Sequence, residues 1–338
     1  MPVSAIVEDN EAEFEEADPH VTLALCDLLE EAGAGRLTLI ELARRLGELT
    51  AAAPEHIDAR AHLGSVLMKC ERLQEAAAEY ERAFELGSRA LPSDFDGRIE
   101  WIRLDNRPFL RAAYGLALVR LKTGKRPAAI RLMERVLQWN PNDNQGIRLI
   151  IGSEYLRAGN RAKAGKVLRE HADEYPPYRY ELGLLHLQKQ KWAQAATRLR
   201  HGFVDNPYIA EILCGNPAPM PLRIREGTNW QGAETAREYV GEYGELWRRT
   251  ADALEFLRWL HTHPRVMAER AAVIECRQEL LWENDFHARG RILDRERAVR
   301  NGIESTLSRE IIKPRTDRSG EPMAPWKDPR TREWPAVH

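Results

Sequence analysis

One short pattern recurs along the middle of this 338-residue chain and restricts its fold more than any other feature. In each copy an apolar residue stands beside a small one, and an alanine and a larger apolar residue follow. From Ala129 to Ala164 is 35 residues, and from Ala164 to Ala195 is 31. A period of this length indicates one supersecondary unit per copy, with neighbouring units stacked over a shared core. The four copies contain the pairs Leu63-Gly64, Leu116-Ala117, Ile151-Gly152 and Leu182-Gly183.

The spacing within each copy resembles that of the tetratricopeptide (TPR) repeat, which is a pair of antiparallel helices. Small residues at the paired position and at the alanine let two helices approach closely, and Tyr80, Met133, Leu168 and Leu199 fill the remaining space. Prolines close the later copies because proline cannot extend a helix. We therefore predict an all-α fold, a TPR-like α-solenoid with a helical C-terminal extension.

The stretch GNRAKAGKV, Gly159 to Val167, resembles the phosphate-binding loop G-x-x-x-x-G-K-[ST]. Five residues separate Gly159 from Gly165 where the loop needs four, Val167 offers no hydroxyl to magnesium, and no apolar strand precedes. The repeat register explains the stretch differently: Gly159 turns one helix into the next, and Gly165 lies inside the second helix. No nucleotide or other cofactor is therefore expected.

The segments flanking the repeats differ in composition. Glu8 to Asp18 contains seven acidic residues and no basic one, and the last residues are rich in proline. The wide interval from Ala76 to Ala129 predicts an insertion between the first two copies. We expect an acidic flexible tail (1–18), N-terminal capping helices (19–57), TPR-like repeats (58–207, with an insertion at 87–108), a C-terminal helical segment (208–264), a long charged helix (265–312) and a proline-rich tail (313–338).

The overall charge gives no field that would attract nucleic acid or an anionic membrane, since 50 basic residues face 52 acidic ones. No apolar run approaches the roughly 20 residues of a membrane-spanning helix, and no secretory signal opens the chain. The four cysteines are scattered without C-x-x-C spacing, as expected of buried thiols in a reducing compartment. These features predict a cytoplasmic protein without a membrane partner.

Other patterns that could carry chemistry have simpler explanations. His261 and His263, two residues apart, point to different faces of a helix, so with Cys276 and His287 they make a poor metal site. The arginines between residues 289 and 300 are interrupted by acids, which favours a solvated helix face over a nucleic-acid site. No catalytic or metal-binding residues are predicted.

Four segments together resemble a bacterial family of TPR proteins that is itself similar to the animal suppressor-of-tumorigenicity-7 proteins. The segments are NRPFLRA (106–112), NPNDNQGIR (140–148), NPYIAEILCG (206–215) and ETAREYV with LWRRTADALEFL (234–257). The resemblance covers roughly Ala59 to Pro264. It implies an α-helical repeat fold, no established catalytic residues and no cofactor.

We predict a non-catalytic scaffold that holds a partner segment on the concave face formed by the first helix of each pair. The thirteenth positions of the first three copies are Lys69, Lys122 and Arg157, a basic row that either binds an acidic partner segment or serves only solubility. The chain's own Glu8–Asp18 could compete for this row, which would be autoinhibition. The candidate partner-binding residues are Lys69, Lys122, Arg157, Ser65, Ser153, Tyr114, Tyr180 and, in the tail, Trp326 and Trp334.

Two other function classes stay open at this point. One is an enzyme with an unrecognised site after Asn206. The other is a nucleic-acid-associated or regulatory accessory protein that uses the arginines near residues 289–300.

Overall fold

The computed structural model describes residues 3–15, 18–317 and 319–328, and it divides into two compact units, Met1–Glu154 and Tyr155–His338. The predicted fold class is confirmed: the described residues form an all-α fold of TPR-like helix pairs, to which two small β-hairpins are added.

The first unit opens with a hairpin and continues as helices. Its elements are β1 (Ala5–Glu8), β2 (Glu11–Phe14), α1 (Pro19–Gly33), α2 (Leu39–Ala52), α3 (Ile57–Lys69), α4 (Leu73–Ala90), a 3-10 helix (Leu104–Asn106), α5 (Arg107–Lys122), α6 (Arg126–Trp139) and the first part of α7 (Arg148–Arg157).

The second unit contains the end of α7 and all later elements. These are α8 (Arg161–His171), α9 (Pro176–Leu187), α10 (Trp192–Asp205), α11 (Pro207–Cys214), a 3-10 helix (Asn229–Gln231), α12 (Ala233–Arg249), α13 (Ala253–His261), α14 (Pro264–Trp282), α15 (Phe286–Asn301), α16 (Ser305–Ile311), β3 (Arg315–Thr316), β4 (Pro322–Met323) and a 3-10 helix (Pro325–Lys327).

The repeat register read from the sequence is confirmed by burial. The four repeats are the pairs α3/α4, α5/α6, α7/α8 and α9/α10. A Cβ atom on Gly64 would lie 2.9 Å from the Tyr80 ring, and one on Gly183 would lie 2.6 Å from Leu199. The small residues are therefore required by close helix contact. The repeat alanines Ala76, Ala129, Ala164 and Ala195 are all completely buried.

The turn inside each repeat has the same backbone conformation. Gly124 and Gly159 have left-handed φ angles of 78° and 77°, and Glu71 and Gln190 have 59° and 55° at the equivalent position. In each turn the amide after this residue donates to a carbonyl in the last turn of the first helix, as in Asn160 to Tyr155 at 2.8 Å. This is the Schellman arrangement that ends helices at glycine. Gly159 is thus a helix turn, and Gly165 lies inside α8 as predicted.

The loop before α7 holds the expected N-terminal cap. Asp143 accepts hydrogen bonds from the amides of Ile147 at 2.7 Å and Arg148 at 2.9 Å. These amides have no partner within the helix, so the carboxylate stabilises the start of α7. Asn140, in the same loop, accepts a bond from the Trp101 amide and so ties the insertion to α6.

The acidic N-terminal segment forms a hairpin instead of the flexible tail that its composition predicts, although Glu8, Asp9 and Glu11 are exposed. Ala12 and Phe14 alternate with glutamates on β2 and are buried, because a strand places alternate side chains on one face. The Ala12 amide donates to Arg98, and the Arg98 amide donates to Asn10, which adds the hairpin to the insertion. Residues Met1, Pro2, Glu16 and Ala17 lie outside the described residues.

The insertion also begins later than predicted. Helix α4 continues to Ala90, because Gly87 fits against the ring of Phe109 where a larger residue would clash. The insertion therefore occupies residues 91–106 rather than 87–108.

The charged stretch after residue 265, for which the sequence predicts one long or twice-broken helix, is three helices, α14 to α16. The first break is stabilised by Asp285, which accepts a bond from the Ala288 amide at 2.7 Å and so starts a new helix. Arg200 on α10 is buried and holds the segment in place: it donates to Glu269 on α14 at 2.8 Å and to Ser308 on α16 at 2.8 Å.

Close packing at Ala164 gives the first testable prediction. We expect Ala164→Leu to lower the free energy of unfolding by about 1–3 kcal/mol, because the added methyl groups overpack a buried helix contact. Thermal melts of the purified protein measure this. Ala162→Leu, on the exposed face of the same helix, is the matched control and should be nearly neutral. Equal stability of the two variants would contradict the packing assignment.

The left-handed turn residue that the repeats share gives a second prediction. Substitutions at two equivalent positions should change the free energy of unfolding in opposite directions. Gly159→Ala should lower the free energy of unfolding by about 1–2 kcal/mol, because a left-handed φ is unfavourable for alanine. Gln190→Gly should raise it by about 0.5–1 kcal/mol, because it relieves the same strain at a smaller entropic cost. Urea unfolding curves report both values. Destabilisation by both changes would mean that the turn conformation is not what limits stability.

Candidate functional site

The surface of interest is the first-helix face, defined here as the side chains at the fifth, ninth, twelfth and thirteenth positions of each repeat's first helix. Counting runs from the start of each repeat, with the small residue of the pair at the eighth position. In the first two repeats these residues are Ala61, Ser65, Met68 and Lys69, then Tyr114, Leu118, Leu121 and Lys122. In the last two they are Leu149, Ser153, Leu156 and Arg157, then Tyr180, Leu184, Leu187 and Gln188.

In the first two repeats this face is partly open to solvent, although Ala61 is completely buried. The exposed part of this face on α5 is one stripe of the helix. It consists of three partly buried side chains, Tyr114, Leu118 and Leu121. Lys69 and Lys122, in the last turns of α3 and α5, are exposed. The helices α3 and α5 pack against each other. The first unit therefore presents an apolar stripe with two cations at one end.

Tyr114 lies in a sheltered position on this stripe. Burial, with a smaller contribution from the Asp143 carboxylate, raises the pKa of Tyr114 to about 12. The phenol is therefore neutral at physiological pH and can donate one hydrogen bond. An aromatic ring with a polar end is a common anchor at protein interfaces.

The opposite end of the face, at the first turns of α3 and α5, carries an ion pair and a cavity. Arg111 donates to Asp58 between these helices. A cavity of about 320 Å³ lies beside this pair and is also lined by Phe14, His56 and Phe109. The N-terminal hairpin forms one wall of the cavity, so this end is partly closed by the chain itself.

In the second unit the same face is covered. Tyr180 and Leu184 are completely buried and Leu187 is 3% exposed, whereas Tyr114, Leu118 and Leu121 at the same positions of the second repeat are partly exposed. Helix α12 packs against α9 and covers part of this face, and Tyr180 also packs against Phe203 of α10. The Trp247 ring meets the Tyr180 ring edge-on at 6.4 Å, and Gln188 donates to Thr250 at 3.3 Å.

Arg157 is the charged part of this contact. Its guanidinium donates to Glu242 of α12 at 2.9 Å and stacks on the Tyr243 ring at 4.6 Å. The side chain is 11% exposed. The third cation of the predicted basic row is thus already paired within the chain, while Lys69 and Lys122 stay exposed in the other unit.

Two other candidates are buried, which corrects their assignment as partner contacts. Ser153 is 1% exposed, and Tyr180 is fully buried with its hydroxyl donating to the Asn206 carbonyl at 2.7 Å. Burial also raises the pKa of Tyr180 far above its usual range. Ser65 is partly exposed.

The tail tryptophan Trp326 packs against other residues of its own chain and is not exposed to a partner. It is 6% exposed and lies 4.6 Å from Trp192, 4.9 Å from Phe256 and 5.7 Å from Trp259, ring centre to ring centre. The neighbouring Lys327 pairs with Asp252 at 3.0 Å. Trp334 lies outside the described residues.

The acidic segment Glu8–Asp18 does not pair with the basic row in the described structure. The Asn106 side chain accepts a bond from the Phe14 amide at 3.0 Å and donates to the Ala12 carbonyl at 3.0 Å. Within the part of the chain that the structure describes, no ion pair joins this segment to Lys69 or Lys122. The hairpin is held by the insertion, and autoinhibition by this segment stays a prediction.

The arginines of α15 are largely engaged with groups of the chain itself. Arg289 donates to the Leu280 carbonyl, Arg295 to Glu279, Arg297 to Asp294 and Arg300 to Asp205. This arrangement favours a structural role for the cluster.

The described residues form neither a cluster of metal ligands nor a membrane-spanning helix. Over residues 3–15, 18–317 and 319–328, no three His, Cys, Asp or Glu side chains converge as metal ligands would. Within the same ranges, none of the helices combines the length and apolarity needed to cross a membrane.

Comparison with known proteins identifies one repeat. Residues 57–86, which span α3 and most of α4, match the family model of the tetratricopeptide repeat. No curated protein matches the chain. The first helix pair is thus a TPR repeat by sequence, and the other three pairs share its burial pattern and turn geometry.

Proposed function

We propose that this chain is a non-catalytic protein-interaction scaffold that binds a partner segment on the first-helix face of its first unit. The observation that carries the proposal is the contrast between equivalent positions. Tyr114, Leu118 and Leu121 are partly exposed, whereas Tyr180, Leu184 and Leu187 are buried. Surfaces of this kind in repeat proteins are used for binding.

The two cations define which partner the face suits. Lys69 and Lys122 are exposed and sit at the same end of neighbouring helices, so they attract an acidic segment. The rim position of these charges favours fast association and strong salt dependence. An acidic partner segment is therefore part of the proposal.

Two further points belong to the same proposal. The four cysteines are free thiols, which supports a reducing, cytoplasmic environment, but Cys26 is exposed and not buried as the sequence predicted. The resemblance to the bacterial relatives of the suppressor-of-tumorigenicity-7 proteins remains a prediction from the sequence segments alone.

Charge reversal tests the proposal. Full-length protein, immobilised and exposed to cell extract at low salt, should retain partner proteins that the Lys69→Glu, Lys122→Glu double variant loses. We expect the affinity of an identified partner to fall about tenfold or more, because two attractive charges become repulsive. Retained proteins are identified by mass spectrometry, and their affinities are measured with purified components.

The matched control is Arg131→Glu, an exposed charge on the second helix of the same repeat. It changes the net charge without touching the first-helix face and should leave retention unchanged. Thermal melts establish that all variants are folded. Identical retention by wild type and double variant would place the binding surface elsewhere on the chain.

A further inference from the structure

The second unit contains an internal example of how a first-helix face is occupied. Helix α12 lies on the third and fourth repeats, and its contacts fall on defined positions of their first helices. Glu242 pairs with Arg157 at a thirteenth position, and Trp247 meets Tyr180 at a fifth. Leu246 and Leu187 line a common cavity, together with Gln188 at the next thirteenth position.

The residues of α12 that make these contacts form one stripe of the helix. Buried residues recur at helical intervals from Thr235 through Tyr239, Tyr243 and Leu246 to Trp247. The indole of Trp247 donates to the Tyr239 hydroxyl at 3.0 Å, which fixes the ring toward Tyr180. The recognition element is therefore an amphipathic helix with an acid, and an aromatic residue just over one turn later.

The first two repeats carry similar side chains at the positions that contact α12 in the third and fourth repeats. Lys69 stands where Arg157 stands in the third repeat, and Ser65 where Ser153 stands. Tyr114 and Leu121 stand where Tyr180 and Leu187 stand in the fourth. One position differs in charge, because Lys122 replaces Gln188. A helix docked here would meet a cation where Thr250 meets Gln188 in the second unit.

We infer that the first unit binds an amphipathic helix of another protein that resembles α12, with a second acidic residue where α12 has Thr250. The inference rests on the proposed function and names the class of partner. The acid equivalent to Glu242 pairs with Lys69, the aromatic residue packs on Tyr114, and the second acid pairs with Lys122. The helix thus has the order acid, aromatic, acid along one face.

The charges on two of the chain's own segments complement Lys69 and Lys122 less well than those of the proposed partner helix. In α12 itself Thr250 is neutral and Arg248 and Arg249 are adjacent, so its end does not complement Lys122. The acidic hairpin is extended and held by Asn106. Neither of these two segments supplies the full acid–aromatic–acid pattern, and the proposal assigns it to a different protein.

A synthetic peptide of residues 233–250 tests the inference against the full-length protein. The peptide carries Gly241→Ala, because Gly241 is exposed and alanine favours the helix. A second peptide carries Thr250→Glu as well. Binding is followed by fluorescence anisotropy at low salt. We expect both peptides to bind, and the Thr250→Glu peptide to bind about tenfold more tightly through Lys122.

Variants of the protein locate the bound peptide. Lys122→Glu should abolish the advantage of the Thr250→Glu peptide, and Lys69→Glu should weaken both peptides. Arg131→Glu and Arg157→Ala should leave both affinities unchanged. A peptide that instead displaces α12 from the second unit would be weakened by Arg157→Ala and indifferent to Lys69→Glu, and this result would overturn the inference.

Two further outcomes also decide the matter. If neither peptide binds while charge reversal still abolishes capture of extract proteins, the scaffold proposal stands and the helical partner class is wrong. If sedimentation shows a dimer of this chain that Lys69→Glu dissociates, the occupant is a second copy, and a separate partner protein is excluded.

Discussion

Contact between a glycine on one helix and a large side chain on the next is the interaction on which the repeat pairs depend. The Tyr80 ring lies against Gly64 on α3 and also against Gly115 on α5, so one side chain sets the spacing of three helices. A methyl group at either glycine would overlap the ring. Leu199 and Gly183 repeat the arrangement in the second unit.

The sequence predicted the repeats well because this contact leaves a strict signature. A small residue, a turn and a buried alanine must recur at fixed spacing for the helices to meet, and all four copies could be placed from the printed residues. The turns are less easily recognised, since Glu71 and Gln190 adopt the left-handed conformation without glycine. Their surroundings, namely the hydrogen bonds that end the first helix, impose it.

The remaining errors have one physical cause: composition describes a segment alone, whereas its structure depends on what it packs against. Glu8–Asp18 is acidic, yet the alternation in Glu11–Phe14 and the Asp9-Asn10 turn were signals of a hairpin. Tyr180 and Ser153 were candidates by register, but register does not say which first helices are covered. The amphipathic pattern around Trp247 was the sequence signal that one face of α12 packs against other helices.

The position of α12 also has a consequence for the order in which the second unit can fold. Tyr180, Leu184 and Leu187 belong to a core whose outer layer arrives more than forty residues later in the chain. A nascent chain that has just completed α10 therefore presents an apolar surface without its cover until α12 has been made and docked. The fourth helix pair is a core element of its unit and not a terminal cap, and α12 performs the sealing that polar capping helices provide at the ends of other repeat arrays.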